Sequence, residues 1–167
     1  LATALGGGHY HSFVVTQDGS AWAAGANENG QLGLSDTTDR LAFQQVPGLS
    51  GILAMDGGAA HSIALMKDGT VWVAGDNSRG QLGLGDTADR IAFNQVPGLA
   101  SAVAVAAGYE SSYVVTSDGA LWVAGWNKYG QLGLNDTTDR RTFTAVPGLT
   151  GVVAVDGGYG FSIVLRN

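Results

Sequence analysis

The chain has 167 residues, 45% of them hydrophobic, and no cysteine; this is enough chain to bury a core without a metal or disulfide staple, and the missing thiols leave the compartment open. Its formal net charge is −6 and its eight basic residues are scattered, which excludes the clustered positive surface that non-specific nucleic-acid binding requires. No apolar run approaches the ~20 residues of a membrane-spanning helix, and no charged leader precedes an apolar signal core.

Glycine makes up 27 of the 167 residues and charged residues 13%, against about 7% and about 25% in average usage. That bias describes many tight turns between short, buried strands. The sequence repeats every 50 residues without an insertion or deletion: Asp18-Gly19 returns as Asp68-Gly69 and Asp118-Gly119, and Gly30-Gln31-Leu32-Gly33-Leu34 returns from Gly80 and Gly130. Repeats therefore occupy 1–50, 51–100 and 101–150, with a partial fourth copy at 151–167, and the whole of 1–167 reads as one domain.

In the second copy, Ile52 to Asp56 reads as a first strand, Gly57-Gly58 as a break, and His61 to Met66 as a second strand. Lys67-Asp68-Gly69 is a hairpin turn with glycine supplying a positive φ, leading into a third strand from Thr70 to Ala74. There, Trp72 and Ala74 point one way and Val71 and Val73 the other, so both faces are apolar and each sheet needs a sheet in front and another behind. About 17 residues of loop follow. Leu32 and Leu34 are expected to anchor that loop in the first copy, Asp36-Thr37 to cap its amides, and Asp39-Arg40 to pair locally or with the next sheet. A fourth strand around Phe93 to Val96, closed by Pro97, has the polar alternation of an outer edge that avoids recruiting a neighbour. The fold class is all-β: propeller blades of four antiparallel strands, three full and one partial, in a ring one chain leaves incomplete.

The series His61-Ser62, Asp68-Gly69-Thr70-Val71-Trp72, Gly75, Asn77, Gly80-Gln81-Leu82-Gly83-Leu84-Gly85-Asp86-Thr87 and Arg90 resembles the repeat of the regulator of chromosome condensation family. The resemblance implies a seven-bladed propeller that binds proteins through its loops. It departs from the pattern at Phe43, Phe93 and Phe143, where bacterial members often carry proline, and at Ser111 and Phe161, which replace histidine. The family includes a guanine nucleotide exchange factor, an ultraviolet-B photoreceptor and enzyme-inhibiting bacterial propellers. Exchange activity is associated there with an inserted β-hairpin, and these copies carry no insertion. Bacterial relatives tend to be surface or secreted proteins.

Enzymatic chemistry is not expected. The glycine pairs precede no helix that could take a phosphate. His9, His11 and His61 are too few for a metal site, and a serine recurring at 12, 62, 112 and 162 beside a histidine that does not recur makes a poor nucleophile relay. No cofactor is implied.

Positions that recur alike serve the frame, whereas positions that differ between copies are free to serve a ligand. The differences concentrate in His9-Tyr10, Ala59-Ala60, Tyr109-Glu110 and Tyr159-Gly160, and around Ala26, Asp76 with Arg79, and Trp126 with Lys128-Tyr129. In an antiparallel meander both sets emerge on one rim. The candidate partner-binding residues are Tyr10, Arg79, Tyr109, Glu110, Trp126, Lys128, Tyr129 and Tyr159, read as exposed aromatics and charges of the kind interfaces favour, with Trp126 the foremost. The implied partners are an unidentified protein and either further copies of the chain or the remaining blades of a longer parent. Three functional classes follow: a binding scaffold, a self-assembling filament, and an exchange-factor-like regulator.

Overall fold

In the computed structural model, which describes residues 1–167, fourteen strands form four antiparallel sheets and no helix. The first sheet holds β1 (Ala2–Gly7), β2 (His11–Thr16), β3 (Ala21–Gly25) and β4 (Arg40–Gln45); the second holds β5 (Ile52–Gly57), β6 (His61–Met66), β7 (Val71–Gly75) and β8 (Arg90–Gln95). The third sheet comprises β9 (Ala102–Ala107), β10 (Ser111–Thr116), β11 (Leu121–Gly125) and β12 (Arg140–Ala145), and the fourth only β13 (Val152–Gly157) and β14 (Ser162–Arg166). Within each sheet every strand pairs with the next in sequence, and β1, β5, β9 and β13 lie side by side along the inner edge. These are blades of an unclosed propeller.

The hairpin turns show why the sequence folds this way. Gly69 has φ +80 and its amide bonds Met66 O at 3.0 Å, while the Asp68 carboxylate accepts from the Thr70 amide at 2.9 Å and from its hydroxyl at 2.7 Å. The same turn ties the blades together, because Gly69 O accepts from Ala102 N at the start of the next inner strand.

Burial on both faces of the third strand follows the sequence pattern. Val71, Val73 and Ala74 are fully buried and Trp72 half-buried, and the core divides into three clusters, one at each junction between successive sheets. Phe13, Val15, Ala21 and Ala23 of the first sheet meet Met55, Ala64 and Met66 of the second. The two end faces lack such a partner. Ile163 and Leu165 are 61% and 62% exposed where their counterparts Phe13 and Val15 are at 1% and 0%.

Two expectations need correction. The fourth strand starts at Arg90, not near Phe93, because a register shift lets Gly75 pair with Arg90 and so draws the end of the loop into the ladder. Nor is the outer edge left alone. Ser35 N donates to Ile91 O at 2.9 Å, Leu34 bridges Ala92, and Leu84 bridges Thr142, so the first two loops each borrow the outer strand of the following blade.

The loop itself is held by a residue to which the sequence reading gave no role. Asn77 is fully buried; its Nδ2 donates to Asp86 O and Oδ1, both at 3.0 Å, and its Oδ1 accepts from Leu82 N at 3.0 Å. Asp89 accepts from the Asn77 amide at 2.8 Å, and Arg90 pairs with Asp86 at 2.6 Å, not with Asp89. Asn27 and Asn127 make the same bonds in their own loops.

Candidate functional site

The turns after the first and third strands of each blade emerge at one end, as antiparallel order requires. They are bonded to each other: Ala26 N to Tyr10 O, Asp76 N to Ala60 O and Trp126 N to Glu110 O, all at 2.8–2.9 Å. They are also bonded between blades, through His9 N to Gly58 O at 3.0 Å, Ala59 N to Tyr109 O at 2.8 Å and Tyr109 N to Gly158 O at 3.0 Å. The copy-specific residues thus sit on a continuous, hydrogen-bonded band.

Their rings form one shelf. His9 stacks on Tyr10 at 4.1 Å between centroids and meets Tyr109 at 6.0 Å; Tyr109 meets Tyr159 at 4.5 Å; Tyr159 takes the edge of Trp126 at 6.0 Å; and Trp126 meets Tyr129 at 5.2 Å. Lys128 Nζ lies 5.7 Å from the Tyr129 centroid, within cation–π reach. Blade two contributes no ring to the shelf, carrying Ala59 and Ala60 at these positions. A depression of about 540 Å³ opens against His9, Tyr109 and Tyr159, over Gly58, Gly108 and Gly158.

Exposure separates the candidates. Tyr10, Tyr129 and Tyr159 are 62–69% exposed and Tyr109 is half-buried, but Trp126 is only 8% exposed. The expectation that Trp126 is an exposed anchor is therefore corrected: its ring is wedged beneath Tyr129 and Tyr159 and supports the shelf. Arg79 and Glu110 face each other at 3.7 Å, and Arg79 also approaches Asp139 at 3.8 Å. Burial raises the Glu110 carboxyl above the usual range, Arg79 opposes that, and Asp76 and Asp139 add to it.

Beneath the rim, polar stitches join the blades. His11 Nε2 lies 2.9 Å from Ser62 Oγ, and Ser62 donates to Gln31 O at 2.7 Å; His61 lies 3.0 Å from Ser112. Since the Ser62 hydroxyl is spent on a carbonyl, it accepts from His11 Nε2–H, which assigns the tautomer. Burial lowers both imidazoles from 6.5 to about 4, so they are neutral at pH 7. At the third junction histidine is absent, yet the stitch survives in another form. Tyr113 hydroxyl accepts from Ser111 Oγ at 2.9 Å and lies 3.4 Å from Gln131 O, to which Ser162 also donates at 2.8 Å. Its ring packs on Gly157 where the His11 ring packs on Gly57. A sequence comparison position by position misses this, because the lost function returns two residues away. Asp56, whose carboxyl burial raises, likewise accepts from Ala107 N of the next blade at 2.9 Å.

Comparison with known proteins agrees with this architecture. The family model described as Regulator of chromosome condensation (RCC1) repeat matches residues 18–65, 68–115 and 118–165, and a second model of the same description matches 2–31, 52–81 and 102–131. The X-linked retinitis pigmentosa GTPase regulator of Mus musculus is 51% identical over 39 residues, covering 23% of this chain and 4% of that protein. The ultraviolet-B receptor UVR8 of Arabidopsis thaliana is 44% identical over 45 residues, covering 27% of this chain and 10% of that one. Among solved structures, Prp20p of Saccharomyces cerevisiae superimposes with a TM-score of 0.90 at 21% identity, covering 99% of this chain and 44% of Prp20p. That likeness shows the fold, and this chain spans less than half the length of each of these proteins.

Proposed function

This chain belongs to the regulator of chromosome condensation repeat family, and from that premise we propose that it is a non-catalytic scaffold that binds a protein partner on its aromatic rim. One observation carries the reading: the residues that differ between copies converge on a single shelf, with Tyr10, Tyr129 and Tyr159 mostly exposed. Recurring polar residues are consumed by loops and blade junctions, whereas these rings have no such structural employment on their outer faces. Exposed tyrosine supplies rigid contact area at low entropic cost. Prp20p has binding properties to Gsp1p and histones, which supports protein binding as the use of this fold.

The test is differential retention on immobilised chain. Proteins held by the wild type and by a Lys67→Ala variant at the opposite end should be lost from a Tyr10→Ser/Tyr159→Ser variant. An identical set on all three would refute the rim.

A second reading concerns the end faces. Exposed Ile163 and Leu165, and on the first sheet Leu5 at 75% and Trp22 at 39%, are the chemistry that elsewhere in the chain forms blade junctions. Further copies or further blades would cover them, at about 1.5–3 kcal/mol for each large side chain buried. Light scattering against concentration separates a fixed assembly from an open series. A Leu165→Asp variant that leaves an associated mass unchanged would contradict use of this face.

A further inference from the structure

The charges carried on the rim indicate what kind of segment it takes. Beside Tyr109 in the chain, Glu110 shares the Arg79 guanidinium with Asp139, at 3.7 and 3.8 Å, longer than close ion pairs, and Asp76, whose carboxylate accepts from Ser78 and Gln81, adds a third negative charge near Glu110. Glu110 carries the mark of that imbalance, since its two carboxylate neighbours oppose its ionisation alongside burial. On the other side, the shelf seats a cation of its own chain, Lys128 over Tyr129. The same rim carries the tilted faces of Tyr109 and Tyr159, which line the depression together with Gly58, Gly108 and Gly158, residues without side chains.

Aromatic faces flanked by surplus negative charge attract a planar cation, which stacks on the rings and meets the carboxylates with its N–H groups. We propose that the rim recognises an extended, arginine-bearing segment of its protein partner, one guanidinium lying on Tyr109 and Tyr159 and directed at Glu110. Arg79 is then an internal competitor that holds the carboxylates until the partner arrives. This inference rests on the rim reading above and adds the chemistry of the occupant.

The probe is a fluorescein-labelled (Arg-Gly-Gly)×3 nonapeptide followed by anisotropy on the full chain. Saturable binding is expected, weakening severalfold when salt is raised because exposed charges are screened. Tyr159→Ala and Glu110→Gln should each weaken it about tenfold, the loss of one stacking or charged contact. Arg79→Ala should tighten it severalfold, an effect that mere structural damage would not produce. The inference is overturned if the peptide shows no saturable binding, if its Glu-for-Arg version or an uncharged proline-rich peptide binds as well, or if Arg79→Ala leaves the affinity unchanged. Partner retention that depends on Tyr10 and Tyr159, combined with no arginine-peptide binding, would remove the arginine chemistry and leave the rim standing.

Discussion

Acid should loosen the blade junctions before it affects the turns. His11 and His61 are 4% and 0% exposed, and burial lowers each imidazole from 6.5 to about 4. Between those values the unfolded chain binds protons that the folded chain refuses, so stability falls as pH falls. The full contribution is present above pH 6.5. Each pH unit below costs about 1.4 kcal/mol per histidine, or about 3 kcal/mol for each by pH 4. Two such sites form a large share of a total stability on the order of 5–15 kcal/mol. Asp56 works in the opposite sense, since burial raises its carboxyl and the folded chain takes up that proton first. It is common to wild type and variant and cancels in their comparison. Urea midpoints followed by tryptophan fluorescence at pH 7.5, 6.5, 5.5 and 4.5 would measure the effect, with His11→Gln/His61→Gln retaining an N–H donor that does not titrate. The wild type should lose stability steeply through this window and the variant should stay nearly level. Equal slopes would refute the neutral, buried stitch.

Other perturbations address the remaining parts of the frame. Tyr113→Phe removes the hydroxyl that serves Ser111 and should cost about 1–2 kcal/mol; Ser111→His added to it rebuilds the His11 and Phe13 pattern of the first junction and should recover most of the loss in a double-mutant cycle. Asn77→Ala should cost about 2–4 kcal/mol, since it leaves Leu82 N and Asp86 O without partners, and hydrogen exchange at Leu82 should accelerate; a change below about 0.5 kcal/mol, the usual size for a surface substitution, would contradict the hub role. Gly75→Ala places a Cβ at 2.4 Å from Ala60 O at a φ of +104, and a loss of at least about 2 kcal/mol is expected in denaturant titrations.

Much of this fold was legible in the sequence, for identifiable reasons. The strict 50-residue period set the blades, Asp68-Gly69 set the hairpin, and the alternation of Trp72 and Ala74 against Val71 and Val73 required sheets on both sides. Antiparallel order then placed Tyr10, Tyr109, Trp126, Tyr129 and Tyr159 on one rim. What escaped depended on contacts between blades. Trp126 looked exposed because its counterparts are Ala26 and Asp76, and only the position of Tyr159, about two thirds of a repeat later in the chain, shows that it is covered. Asn77 recurs like its neighbours, and recurrence alone does not distinguish a turn residue from the buried hub of a loop. The exchange of histidine at 111 for the hydroxyl of Tyr113 is visible only once both are seen to fill the same slot against a glycine.

The rim is most directly tested by a photo-crosslinking amino acid placed in turn at Tyr159, at Tyr10 and at Lys67 on the far end. Adducts with a partner protein should form from positions 159 and 10 and be absent from position 67. Adducts from position 67 alone, or equally from all three, would contradict the assignment of binding to the aromatic shelf.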